Sequence, residues 1–244
     1  DAAIDAQLNT PTSIAFDSVG HLYIADAGSF RIRKVGQNQI ITTLVGNGQM
    51  CPAKVPEAGE ECLLEPSNLL NARLNAPRAL AFDSLDNLYF TEPDRHLIFR
   101  VNKASDSDDY ADIERLNAET CPAPAGTPET GAYALCNGSE LNGDTELGDI
   151  RFNTPMDLVF DAQDNLFVAD TKNYLVRKIA VPECTENCMP SVTASRVISL
   201  AGEPEVPCVE SDVICGDGSD VAEAALHEPR GLSINDAGVL LVAD

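Results

Sequence analysis

The chain of 244 residues lacks any run of eighteen apolar residues, which argues against insertion into a membrane as a helix. Basic residues are scarce: 16 Lys and Arg stand against 39 Asp and Glu, a formal net charge of −23. Such a charge repels phosphate backbones and anionic lipid surfaces, so neither nucleic acid nor membrane is an expected partner. Tryptophan is absent and aromatic residues make up 5%. The chain starts at Asp1, with no methionine and no basic segment leading into an apolar stretch, so no signal peptide is visible and an upstream segment is expected to have been removed. Also missing are a Gly-x-Ser-x-Gly elbow, a phosphate loop and a Cys-His pairing, the local signatures of common nucleophilic and phosphoryl-transfer chemistries.

What is present suffices for a folded core, since 44% of residues are apolar. Eight cysteines beside an acidic composition suit an oxidising compartment, so the chain reads as secreted, periplasmic or displayed at the cell surface.

An internal repeat organises the sequence. Leu8-Asn9-Thr10-Pro11 leads into Ser13-Ile14-Ala15-Phe16-Asp17, a turn, and Leu22-Tyr23-Ile24-Ala25-Asp26. Leu74-Asn75-Ala76-Pro77 and Phe152-Asn153-Thr154-Pro155 open second and third copies, and Leu226-His227-Glu228-Pro229 a fourth that runs to Asp244. Successive prolines are 66, 78 and 74 residues apart. Each copy reads as short antiparallel strands around an Asx- or Gly-rich turn, which supplies positive φ and local side-chain caps. A third strand follows at Arg31–Val35, Leu97–Val101 and Leu175–Ile179, and a fourth at Ile40–Val45 and Val197–Ala201. The fourth strand of the second copy is weakly marked and is expected near Ile113–Leu116.

Tandem sets of four antiparallel strands describe the blades of an all-β propeller. The Leu-x-x-Pro entry, the Phe-Asp turn, Leu22-Tyr23-Ile24-Ala25-Asp26 and Arg31-Ile32-Arg33-Lys34-Val35 resemble the NHL-repeat family. The linker Cys215-Gly216-Asp217-Gly218-Ser219 with Ala222 and Ala224-Ala225-Leu226 is similar to the Gly-Asp-Gly-Gly-Pro-Ala-Thr element of bacterial and teneurin-like NHL propellers. The resemblance implies a propeller of four-stranded NHL-type blades. Residues 1–244 are then expected to be about half of a six-bladed ring, with copies at 7–50, 73–120, 151–203 and 225–244 and with further blades expected beyond the C-terminus, the N-terminal side being left open.

The cysteines fall in local pairs: Cys51 with Cys62, Cys121 with Cys136, Cys184 with Cys188, and Cys208 with Cys215. Four local disulfides are the simplest pairing, and closing loops of this size is worth about 2–3 kcal/mol each in the chain-entropy model. Metal thiolate sites are the competing reading, but no loop supplies four Cys or His ligands. Strand direction places the 51–62, 121–136 and 208–215 loops on one face, with the loops after Asp26, Glu92 and Asp170, and the 184–188 loop on the other. An elaborated face on a rigid scaffold is where binding usually resides.

Between residues 104 and 149 eleven acids face Arg115 alone. Asp106, Asp108 and Asp109, and separately Asp217 and Asp220, are weak candidates for Ca²⁺, whose ligands are oxygens. An EF-hand register from Asp106 fails, because Tyr110 takes the fifth position, Ala111 replaces the turn glycine and Asn117 replaces the bidentate Glu. No cofactor is otherwise expected. Asp26, Glu92 and Asp170 recur in every copy, which fits a repeated turn cap better than a unique catalytic constellation. Of the three histidines, His96 stands where Phe30 and Tyr174 do, His227 stands where Asn9, Asn75 and Asn153 do, and His21 lies in a strand turn. Asn137-Gly138-Ser139 is a glycosylation sequon. The leading expectation is a non-catalytic scaffold binding protein or glycan. The alternative is a metal-dependent hydrolase or lyase, lactonase-like or amidating-lyase-like, with part of its site in missing blades.

Overall fold

A computed structural model describes residues 2–51, 62, 68–104, 107, 109–117, 145–147, 150–180, 196–202, 221 and 224–244. The chain divides into two compact units, Asp1–Arg115 and Leu116–Asp244.

The first unit holds two four-stranded antiparallel sheets, each in chain order. One comprises β1 (Pro11–Phe16), β2 (Leu22–Asp26), β3 (Arg31–Val35) and β4 (Ile41–Val45); the other comprises β5 (Leu80–Phe82), β6 (Leu88–Glu92), β7 (Leu97–Lys103) and β8 (Tyr110–Arg115). The second unit holds β9 (Thr145–Glu146), β10 (Pro155–Phe160), β11 (Leu166–Asp170), β12 (Leu175–Ala180) and β13 (Arg196–Ala201) in the order β10-β11-β12-β13-β9, and a hairpin of β14 (Gly231–Ile234) and β15 (Leu240–Ala243). The described residues are thus all-β apart from short 3-10 turns, with one antiparallel sheet per sequence copy.

The repeat extends to detail. Pairing shifts between Pro11 and Ser13 and again between Pro155 and Asp157; it shifts between Ile32 and Arg33 and again between Val176 and Arg177. In the first turn of each sheet a side-chain oxygen accepts the backbone N–H four residues on: His21 N–H on Asp17 (2.8 Å), Asn87 on Asp83 (2.9 Å), Asn165 on Asp161 (2.8 Å) and Val239 on Asn235 (2.9 Å). The residue that closes this turn has positive φ in all four copies: Gly20, Asp86, Asp164 and Gly238. Two further glycines are required by close approach. Gly46 (φ 101°) and Gly202 (φ 97°) end β4 and β13, where a Cβ would strike the carbonyl oxygens of Phe30 and Tyr174.

The fourth strand of the second copy spans Tyr110–Arg115, starting three residues before the expected Ile113 and excluding Leu116. Only Ile113 of this edge strand is buried, so its apolar signal is a single residue. The two sheets of the first unit share a core in which the Tyr23 ring meets Phe82 edge-on at 4.8 Å and Phe90 stacks on Phe99 at 5.0 Å. Consecutive sheets are also joined by one repeated polar contact. The Ser13 hydroxyl accepts the N–H of Leu80 (3.3 Å), and the Asp157 carboxylate at the equivalent place accepts the N–H of Leu232 (2.7 Å). On the opposite face of the first sheet the outer strand is exposed: Ile14 is 62% and Phe16 60% exposed, although Ile24 across from Ile14 is buried, whereas Leu80 and Leu158, equivalent to Ile14, are 7% and 3% exposed.

Candidate functional site

The recurring acid at the end of each second strand marks the best-defined polar site. Asp26 accepts the backbone N–H of Asn9 (2.7 Å), Glu92 that of Asn75 (2.6 Å), Asp170 that of Asn153 (2.6 Å) and Asp244 that of His227 (2.9 Å). Each acid therefore ties the Leu-x-x-Pro entry to its own sheet. In the first three copies the residue before the proline, Thr10, Ala76 or Thr154, has left-handed φ, so the bond holds the chain where it bends.

Asp26, Glu92 and Asp170 are fully buried, and each faces a guanidinium. Arg33 Nη1 lies 3.6 Å from Asp26, while Arg177 Nε lies 2.5 Å from Asp170, which also accepts Asn173 Nδ2 at 2.8 Å. Asp26 Oδ2, by contrast, has no hydrogen-bond partner among the described residues. The second copy solves the same problem differently. Phe99 occupies the strand position of Arg33 and Arg177, and the cation comes instead from Arg95 in the preceding 3-10 turn, 2.8 Å from Glu92. The acid is one methylene longer and the Arg95 guanidinium lies 5.7 Å from the Phe99 ring centre. Burial pushes the Glu92 carboxyl up to about 7, against the opposing pull of Arg95 and the Asn75 N–H. This exchange is visible in the sequence as Phe for Arg on the third strand, but its consequence emerges only once the turn brings Arg95 round.

A second network lies at the β1–β2 turn. Tyr110 Oη donates to Tyr23 Oη (3.0 Å), which donates to Asp17 (3.0 Å), and His21 Nδ1 lies 2.7 Å from the same carboxylate. Burial pushes Asp17 up, but the bonds from His21 and Tyr23 outweigh it and hold the carboxyl below its ordinary value. Burial pushes both tyrosine hydroxyls well above theirs, helped at Tyr23 by the bond from Tyr110 and at Tyr110 by the neighbouring carboxylates. His21 stands where the second and third copies use asparagine, since Asn87 Nδ2 and Asn165 Nδ2 donate to Asp83 (2.8 Å) and Asp161 (2.7 Å). His96 adopts the left-handed conformation (φ 59°) of Phe30 and Tyr174, and His227 gives its N–H to Asp244 as the asparagines do to their acids.

The structure joins Cys51 to Cys62, with Cα atoms 5.7 Å apart, in the connection from β4 to β5. Asn75 Nδ2 donates to the Cys51 carbonyl (2.6 Å), which places the disulfide beside Glu92 at the β6 end that leads into β7. Cys121, Cys136, Cys184, Cys188, Cys208 and Cys215 lie outside the described residues, as do Asp106, Asp108, Asp217 and Asp220. Asp109 sits in the β7–β8 turn, where its carbonyl accepts the N–H of Ala104 (3.0 Å). Among the described residues no three His, Cys, Asp or Glu side chains come together to hold a metal, and no helix is long and apolar enough to cross a membrane.

The family model for the teneurin NHL domain matches residues 1–129, more than half of the chain. This chain belongs to the teneurin NHL domain family. Mouse Teneurin-3 is 24% identical over 248 residues, covering 99% of this NHL chain and 8% of its own length. The chain thus spans about a twelfth of the curated teneurins it matches. Two solved structures from Bacteroides thetaiotaomicron are similar in fold. A structural genomics protein of unknown function has a TM-score of 0.56 at 15% identity, covering 97% of this chain and 45% of that one. An auxiliary nutrient binding protein has a TM-score of 0.54 at 11% identity, covering 94% and 44%. Both matches concern the fold alone.

Proposed function

We propose that this NHL chain is a non-catalytic interaction scaffold, exported or displayed at a cell surface, that holds a protein or glycan partner on the face carrying its cysteine loops. The observation that carries the reading is the Cys51–Cys62 disulfide, pinned by Asn75 beside the β6–β7 connection. A rigid blade with a covalently shaped crossover suits recognition, because shape fixed before binding is not ordered at the partner's expense. Membership of the teneurin NHL family and the net charge of −23 support an extracellular setting and disfavour nucleic acid. The recurring acids, spent on entry segments and arginines, serve as pins in this reading.

By strand direction the 121–136 and 208–215 loops are expected on that face and the 184–188 loop on the other. An Fc fusion of the chain applied to arrays of glycans and of receptor ectodomains tests the proposal. Deleting residues 121–136 should weaken the strongest captured ligand by about tenfold or more while circular dichroism and melting temperature are retained. Equal capture by the intact and deleted chains would refute the assignment of the face.

A further inference from the structure

Asn9 and Asn153 turn their side chains back on their own copy, donating to the carbonyls of Gly28 (3.0 Å) and Lys172 (3.4 Å). Asn75 does otherwise. Its Nδ2 crosses to the Cys51 carbonyl, on the chain leaving the preceding sheet. Around it the disulfide is bedded on residues 73–75: Cys51 N–H donates to the Leu74 carbonyl (2.9 Å), Arg73 N–H to the Cys62 carbonyl (2.9 Å) and Arg73 Nη2 to the Met50 carbonyl (3.0 Å). Both sulfur-bearing residues are buried, as are Asn75, Glu92 and Arg95. One residue therefore touches the disulfide crossover with its side chain and a buried carboxyl with its backbone. This arrangement exists in the only described copy whose pin is a glutamate and whose cation comes from the turn.

We propose that Asn75 couples the Cys51–Cys62 crossover to the protonation state of Glu92, making the junction of the first two blades a pH-responsive latch, tight in mild acid and looser above neutrality. The device is independent of which partner the scaffold binds. The charged groups bearing on Glu92 are Arg95, 2.8 Å away, and Asp94 on the same turn; β7 contributes the Phe99 ring against Arg95, and the entry segment contributes the Asn75 N–H and, facing Met50, Arg73. Among the described residues Arg95 is the one cation paired with Glu92, and it does not fully offset the desolvation of a carboxylate with no exposed surface.

The direction follows from linkage. An opened, hydrated Glu92 returns to the ordinary carboxyl range near 4.5, whereas the closed site holds its proton up to about 7. The closed state thus binds more protons between those limits, so its advantage is complete below the lower limit and is lost as pH rises through the upper one. A neutral Glu92 still accepts the Asn75 N–H through its carbonyl oxygen, so protonation does not break the pin.

Amide hydrogen exchange of the full chain with the Cys51–Cys62 disulfide intact reads this directly, as protection factors corrected for intrinsic rates at pH 5.5 and pH 8. Protection at the Asn75 and Cys51 amides should fall by about tenfold between the two, while Asn9 and Asn153, pinned to Asp26 and Asp170, keep theirs. Glu92→Gln should abolish the pH response. Asn75→Ala should abolish it at Cys51 while leaving it at residue 75. An equal fall at Asn9 and Asn153, no fall at Asn75, or a response that survives Glu92→Gln would overturn the latch. A Cys51 response that survives Asn75→Ala would overturn the coupling. If Glu92→Gln does not fold, the comparison of Asn75 with Asn9 and Asn153 in the native chain decides alone.

Discussion

Arg33 and Arg177 occupy the same place on the third strand, yet one stands 3.6 Å from its acid and the other 2.5 Å. The tighter contact is the more deeply buried, so its loss leaves a carboxylate without compensation in a dry site. Arg177→Met is expected to destabilise the chain by about 3–5 kcal/mol, the range for breaking a buried pair from one side. Arg33→Met should have a clearly smaller effect, because Asp26 Oδ2 already lacks a hydrogen bond and Arg33 is partly solvated. Urea unfolding of the two variants checks the order, and equal losses would show that distance in this pair does not report interaction. The acids themselves were legible from the repeat; their partners were not, because Arg33 and Arg177 reach them from third strands and Arg95 from a 3-10 turn.

At the scale of the element, the second sheet shows that a blade can exchange its polar anchor as a unit. Glu92→Asp, Arg95→Asn and Phe99→Arg together recreate the third-copy pattern of Asp170, Asn173 and Arg177. The triple variant should be more stable than Phe99→Arg alone by about 2 kcal/mol or more, since only the combination gives the new guanidinium a carboxylate at the right reach. Additive effects in thermal unfolding would contradict a coupled exchange. Turns carry their own test: Gly46→Ala and Gly202→Ala should each destabilise by about 1–3 kcal/mol through positive φ and the facing carbonyl, whereas Gly20→Ala, with open space around its Cβ, should pay for φ alone. Strand order and turn chemistry were readable because alternation and Asx/Gly spacing are local signals. The start of β8 was not, since an edge strand with Ile113 as its single buried residue carries almost no periodicity.

For the whole molecule, the contrast between the two faces of the first sheet sets the expectation. Ile14→Asp with Phe16→Asp should leave the melting temperature of this chain nearly unchanged, because both side chains are already in solvent. Leu80→Asp, at the repeat position equivalent to Ile14 but inside the shared core, should unfold the first unit. Equal sensitivity at the two positions would mean that the β1 face is covered. The repeat, the family resemblance and the pairing of Cys51 with Cys62 were legible in the sequence. The bond from Asn75 to the Cys51 carbonyl was not, since it joins residues 24 apart through a side chain whose counterparts Asn9 and Asn153 bond within their own copies.

If the recurring acids are structural pins of an interaction scaffold, they take no part in its working site. Capture of the strongest array ligand by Asp26→Asn and Asp170→Asn variants, each matched to the native chain in circular dichroism and melting behaviour or corrected for its folded fraction, tests it most directly. Capture should equal that of the native chain; capture lost from a folded variant would place these acids in the binding or catalytic site and overturn their role as pins.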